Sequence, residues 1–407
     1  MALIYIPIDW SRLLVMQDHD GIEFSIVMPC LNESETIATC IKKAQGFLVE
    51  ANVSGEVVVA DNGSSDGSQK IAQDLGARVI DVPARGYGSA LFAGSSHARG
   101  RFVIIGDSDD SYDFSKLELF IDALRSGADF VIGNRFAGGI AKGAMPWKNK
   151  YIGNPVLSFI GRSLFRTRIR DFHCGLRGYS KIAFSRMNLV TTGMEFASEM
   201  VIKAQLLNMD VREVPTTLSK DGRSRPPHLK PWRDGWRHLR FMFTYSPRWL
   251  FIWPGSVLAA LSLLFYIPLL FGPVYFGSFG VDTNSLFYAQ AGVTLGTLSV
   301  LIGIVFRIFA SREGLLPNNR LLEKLRSLPV LEIGGISGFL LLVIGVLIGL
   351  STFGRWAQAN FGHVEPEQVL RLISLSTLCL ELGGAILLIS LVFGILSMPI
   401  RKSQSNI

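Results

Sequence analysis

The chain has no GxxxxGK[ST] phosphate loop and no CxxC pair. Its four cysteines, Cys30, Cys40, Cys174 and Cys379, have no histidine partners at zinc-ligand spacing. That excludes a zinc ribbon or a disulfide framework and leaves reduced structural thiols. Phosphate binding, if the chain performs it, has to rely on metal and arginines. Charge is scarce as well: charged residues make up 18% of the 407 residues, and none occurs from Trp249 to Phe271.

Further uncharged runs occupy Ser285 to Phe306, Ile333 to Gly354 and Leu372 to Ile400, the last broken only by Glu381. Each is long enough to cross a hydrocarbon core of about 30 Å, and together they account for the mean hydropathy of +0.34. We expect four membrane helices over 249–271, 285–306, 333–354 and 372–398. Leu3 to Ile8 is too short, and lacks the basic lead, for a secretory signal. Arg307, Arg312, Arg320, Lys324 and Arg326 lie between the second and third spans, Arg401 and Lys402 follow the fourth, and Gly272 to Asn284 has no basic residue. Positive-inside bias then puts the N-terminal domain and the C-terminus in the cytoplasm of a multi-pass membrane protein. The net charge of +7 is better explained by a lipid surface than by nucleic acid.

Before the spans, β-branched runs alternate with helical patterns. Phe24 to Met28, Glu56 to Ala60, Arg78 to Val82, Phe102 to Gly106, Asp129 to Gly133 and Val211 to Val214 read as strands, which implies a mostly parallel α/β sheet with ligands at the strand C-terminal ends. The polar clusters fall at those ends. Asp107 and Asp109 follow the fourth strand; two apart in an extended segment, they share a face, and their repulsion asks for a cation between them. Mg2+ or Mn2+ suits such a pair, taking one or two carboxylates and completing its shell with water and substrate phosphate. A turn with helix-capping aspartates is the plainer reading.

Asn32 and Glu35 have the spacing of a capping box, which leaves Pro29 and Glu33 unexplained. Asp61, Gly63 and Ser64 form a tight turn into a helix whose N-terminus favours an anion. Gly86 and Gly88 give close backbone approach or an ordinary loop. Asp171, after the basic run Arg162, Arg166, Arg168 and Arg170, has a simple reading as an arginine partner. Trp232, Trp236, Leu239 and Phe243 fall on one helical stripe flanked by Arg233, Arg237 and Arg240, as in a helix lying in the membrane interface. Asn318 to Leu328 reads as a second interfacial helix.

Taken together, Ile26 to Ile37, Val57 to Ser68, Gly86 to Gly100, Ile104 to Phe114 and Gly133 to Phe136 resemble glycosyltransferase family 2 with a GT-A (Rossmann-like) fold. More narrowly they resemble the polyprenyl-phosphate sugar transferases, over roughly residues 24 to 230. The resemblance implies that Pro29, Asn32 and Glu33 lie beside the nucleotide, that Asp61 contacts base or ribose, and that Asp107 and Asp109 are the DxD metal ligands. It also implies that Arg135, Arg223 and Ser224 lie near donor and acceptor phosphates, with Arg225 and Arg237 assigned to the acceptor side, and that Gly63, Ser64, Gly86 and Ser108 line the donor site. Asp171 matches an acid proposed in relatives as a base, and Ser111 stands where some members carry a metal-contacting glutamine.

The expected organisation is an N-terminal extension (1–22), a catalytic domain (23–230), an interfacial helix (231–248) and a transmembrane domain (249–400). The expected partners are a nucleotide-diphosphate sugar, a polyprenyl phosphate and the membrane; a homo-oligomer is compatible. A lipid monophosphate, with a second pKa near about 6, is already an anion at neutral pH, so Asp171 need not be a base and is better read as positioning a group or balancing Arg135 or Arg177. Two alternatives stand beside single-sugar transfer. A processive polysaccharide synthase would carry a QxxRW motif, which this chain lacks. A lipid-translocating protein with a sensing domain draws on the intramembrane Glu381.

Overall fold

The computed structural model describes residues 21–224, 231–312, 316, 329–362 and 366–398. Arg225, the expected helix from Asn318 to Leu328 and nearly all of the N-terminal extension lie outside them. The chain divides into two compact units, Met1–Thr244 and Tyr245–Ile407.

The first unit is built on seven strands: β1 (Phe24–Cys30), β2 (Gly55–Asp61), β3 (Arg78–Asp81), β4 (Phe102–Ile105), β5 (Phe130–Asn134), β6 (Arg177–Ser180) and β7 (Val211–Pro215). Their order is β3-β2-β1-β4-β6-β5-β7, with β6 antiparallel to β4 and β5 and the other pairs parallel. Six of the seven match expected strands. β6 does not, because Arg-Gly-Tyr-Ser offers no apolar run. It holds its place by other means: the buried Arg177 guanidinium donates to the carbonyls of Cys174, Ala197 and Phe172.

Helices cover the sheet because their apolar residues recur at helical spacing. In α1 (Ile37–Glu50), Ile37, Cys40, Ile41, Ala44, Phe47 and Leu48 are all buried, one continuous stripe. Each large side chain so buried contributes about 1.5–3 kcal/mol. The remaining helices of this unit are α2 (Ser68–Asp74), α3 (Tyr87–His97), α4 (Glu118–Arg125), α5 (Arg135–Gly138), α6 (Asn154–Phe165), α7 (Lys181–Met187), α8 (Phe196–Leu206) and α9 (Pro231–Thr244). On α9, the face turned into the unit carries His238 and Met242, not the expected aromatic stripe. Trp236 of that stripe is 62% exposed, which leaves it free for a lipid surface.

The second unit holds α10 (Trp253–Phe271), α11 (Thr283–Arg312), α12 (Val330–Gln358) and α13 (Pro366–Ser397), with the hairpin β8 (Val274–Phe276) and β9 (Phe279–Val281) after α10. Four stretches are long and apolar enough to cross a membrane: Arg248–Phe271, Thr283–Arg312, Val330–Gln358 and Val369–Leu396. They overlap the four expected spans, the fourth ending two residues earlier than expected. Glycines let the helices touch: a Cβ on Gly338 would stand 2.8 Å from the Gly383 carbonyl, and one on Gly255 2.7 Å from that of Gly296. Small-residue contact of this kind drives helix association where solvent gives no hydrophobic push. Glu381 accepts from Thr294 at 2.6 Å and from Gln290 at 3.3 Å, so the intramembrane carboxylate is satisfied by neutral donors.

Candidate active site

The carboxyl ends of β1, β2 and β4 converge, as a parallel sheet requires. β4 ends at Ile105 and the chain then turns through Ser108 and Asp109, with Asp110 at φ 63°. The expected extended path from Asp107 to Asp109 is therefore corrected to a turn. The carboxylates still repel: burial first and the Asp109 charge second push the Asp107 carboxyl up to about 6, a crowding that a cation relieves.

Each carboxylate is aimed by neighbours. Tyr87, which sequence reasoning passed over in favour of Gly86, donates to Asp107 Oδ1 at 2.9 Å. Gly175 makes room on the other side, since a Cβ there would stand 2.6 Å from Asp107 Oδ2. Ser111 donates to Asp109 Oδ1 through its hydroxyl at 2.6 Å and its N–H at 3.1 Å. Arg223 donates to Asp109 Oδ2 at 2.7 Å and to Glu33 Oε1 at 3.1 Å, and it also bonds Asp221. Two hard carboxylates in a cradle that a methyl group would fill fit a divalent cation such as Mg2+ or Mn2+.

The neighbouring cavity, about 380 Å3, is lined by residues that include Asn32, Glu33, Glu35, Ser65, Asp66 and Arg223. The expected capping box is absent. Asn32 has φ 59°, its carboxamide oxygen accepts from the Ser65 N–H at 2.8 Å, and Glu35 instead accepts from the Ser224 N–H at 2.7 Å and hydroxyl at 2.6 Å. Tertiary partners outcompete the local cap, and α1 starts after Thr36 with no side-chain cap.

Asp61 is wholly buried. Burial opposes its ionisation, but hydrogen bonds from Ser64, Gln69 and the Gly63 N–H outweigh that and hold its carboxyl below the usual range. Its Oδ1 has no hydrogen-bond partner among the described residues, an open acceptor for a ligand donor. The Ser64 hydroxyl accepts from the Asn32 N–H at 2.8 Å, and the Ser108 hydroxyl donates to the Pro29 carbonyl at 2.6 Å, so these residues fasten the strand ends to one another. The Gly86 N–H donates to Asn62 at 2.7 Å, and its φ of 135° suits glycine.

Asp171 and Arg135 form a buried bidentate pair, with Nε at 2.7 Å and Nη2 at 2.8 Å from the carboxylate, and the Arg135 N–H also donates to it. Both Asp171 carboxylate oxygens are thus engaged by Arg135, as expected of an arginine partner. Arg237 pairs with Glu195 at 3.2 Å. Burial pushes the Cys30 thiol up to about 11 and those of Cys40 and Cys174 to about 12, as for inert structural thiols.

Residues 25–187 match glycosyl transferase family 2, and residues 304–397 match the glycosyltransferase family 2 C-terminal transmembrane region. A low-salt glycan biosynthesis hexosyltransferase, Agl6, of Haloferax volcanii is 38% identical over 62% of this chain and 61% of its own length. The chain thus spans less than two thirds of that relative. Glycosyltransferase AglJ of the same organism is 32% identical over 52% of this chain and 67% of its own length. A dolichyl-phosphate hexose transferase, also from H. volcanii, is 29% identical over 49% of this chain and 84% of its own length.

The site and sheet define a GT-A-like domain joined to membrane-length helices. The chain belongs to glycosyltransferase family 2 and is a multi-pass membrane protein.

Proposed function

We propose that the protein transfers a single sugar from a UDP- or GDP-sugar to a polyprenyl phosphate on the cytoplasmic leaflet, with inversion as the family resemblance implies. One observation carries this reading: an acidic pair at a strand end occurs in the same chain as four membrane-length helices. A water-soluble donor then meets an acceptor that partitions into lipid. The relative named a dolichyl-phosphate hexose transferase supports the acceptor class. The basic loop after α11 supports the cytoplasmic placement of the first unit and of the C-terminus.

A divalent cation held by Asp107 and Asp109 would neutralise the charge that grows on the leaving pyrophosphate. The chain's own residues do the rest. Asp61 offers its open Oδ1 to the nucleoside. Tyr87 and Ser111 keep the two carboxylates aimed, and Arg223 can exchange its carboxylate partners for donor phosphate, where a guanidinium makes strong bidentate bonds. Arg135, held by Asp171, adds fixed positive charge near Asp107. The acceptor phosphate is already an anion, so no base has to remove a proton. Catalysis then rests on positioning and electrostatics.

The test is to incubate the detergent-purified protein with polyprenyl phosphate, Mg2+ or Mn2+ and a panel of labelled UDP- and GDP-sugars. Label should enter the organic phase from one donor as a singly glycosylated lipid. Donor binding without a lipid product under any donor or metal would sink the proposal.

A further inference from the structure

The arginines expected at phosphates already have carboxylate partners: Arg135 has Asp171, Arg223 has Asp109, Glu33 and Asp221, and Arg237 has Glu195. Another pair of guanidiniums has none among the described residues, although the Arg170 backbone N–H donates to Glu213 at 2.8 Å. Between α5 and α6 lies a cavity of about 300 Å3 whose lining includes Asn134, Phe136, Pro155, Ser158, Arg162 and Arg170. No carboxylate lines it. Neither arginine forms an ion pair among the described residues, and Arg162 Nε is buried with no acceptor. A buried donor left unpaired is costly, so an acceptor from outside the chain is the natural partner.

The cavity's form narrows the ligand. The buried, unpaired Nε of Arg162 and the exposed Arg170 beside it favour a phosphate or carboxylate, and their forked donors suit phosphate oxygens. Phe136 and Pro155 supply apolar wall, and the outer face of α6 and the turn before it continue it, with Val156 49%, Phe159 61%, Ile152 50% and Tyr151 59% exposed. The volume is far above the roughly 30 Å3 of one water and sits at the lower end of ligand pockets. A small free anion would leave the apolar wall unused. An amphiphile uses both parts.

We propose that this cavity binds a lipid-borne phosphate, its head on Arg162 and Arg170 and its tail along Phe136 and Pro155. The site shares no lining residue with the Asp107 and Asp109 centre or with the cavity lined by Glu33 and Arg223. The phosphate is either that of the prenyl acceptor or that of a bilayer headgroup; the first source rests on the transferase reading above, the second only on membrane residence.

The experiment measures labelled farnesyl phosphate bound to the full chain in phosphatidylcholine nanodiscs, with no donor and no divalent cation, against empty nanodiscs. Replacing both arginines (R162Q/R170Q) should weaken binding about tenfold or more, as the loss of charge-assisted bonds predicts. R162K/R170K should recover part of it, and farnesol should bind wild type and both arginine variants alike. Ala137→Trp fills the cavity from an exposed position without changing charge, and it should weaken binding as well. UDP or GDP binding should stay unchanged in each variant, which shows that the unit is folded.

Competition by phosphatidylglycerol assigns the site to bilayer headgroups; its absence assigns it to the prenyl phosphate. Displacement by an equal concentration of inorganic phosphate would overturn the need for a tail. Equal farnesyl phosphate affinity in wild type, R162Q/R170Q and Ala137→Trp would overturn the proposal. Because no donor is present, failure of sugar transfer from every nucleotide sugar would leave the binding result standing.

Discussion

Asp107 and Glu381 are both carboxylates in surroundings that disfavour charge, yet the two units treat them differently. Asp107 is crowded by Asp109 and aimed by a tyrosine hydroxyl, so its site carries excess negative charge that a cation would balance. Among the described residues Glu381 accepts from the neutral donors Thr294 and Gln290 of α11. Repulsion of the Asp107 kind is what clusters at functional sites, whereas the Glu381 carboxylate already has neutral hydrogen-bond donors on both oxygens. That contrast weakens the translocation alternative, which leaned on Glu381.

The largest expected effect comes from the buried ion pair beneath the site. Asp171→Ala leaves the Arg135 guanidinium buried without its counter-charge, and should lower the stability of the first unit by about 3–5 kcal/mol in denaturant unfolding. A loss of activity without a loss of stability would instead return Asp171 to the role of a base. Next is Asp109→Ala, which removes half of the acidic pair and should cut kcat for transfer by about 10²–10³ with the fold retained.

Asp107→Asn separates function from stability. Because the folded carboxyl is raised from 3.8 to about 6, its ionised form costs stability that is absent below pH 3.8 and fully present above about 6. The asparagine variant should therefore be more stable at pH 7.5 by roughly 1–3 kcal/mol, with the gap closing as pH falls toward 4, while transfer is lost. Thermal unfolding across pH reads this directly. Glu381→Gln should have the smallest effect, within about 1 kcal/mol of wild type, because the amide oxygen still accepts from Thr294. Transfer at the wild-type rate would accompany it.

Long apolar patterns were legible in the sequence, because a span or a buried parallel strand needs nothing beyond its own residues. The four spans, six strands and the Asp107 and Asp109 pair come from such patterns. What escaped depends on partners distant in sequence. β6 is a strand because β4 and β5 flank it, not because its side chains favour one. Glu35 forgoes a local cap for Ser224, 189 residues away. Tyr87 was hidden inside a glycine motif that drew attention to backbone approach, and only the fold brings its hydroxyl to Asp107. Arg162 and Arg170 stood in the sequence only as members of a basic run before Asp171. Their distinction is that they line a cavity without carboxylates, which no spacing rule reports.

The most direct measurement is Mn2+ binding to the full chain by electron paramagnetic resonance, comparing wild type, D107N/D109N and Glu381→Gln. The account predicts one Mn2+ per chain in wild type and in Glu381→Gln, lost in D107N/D109N, with wild-type affinity falling about tenfold per pH unit below about 6 as a proton competes for Asp107. Mn2+ retained by D107N/D109N, or lost from Glu381→Gln, would contradict it.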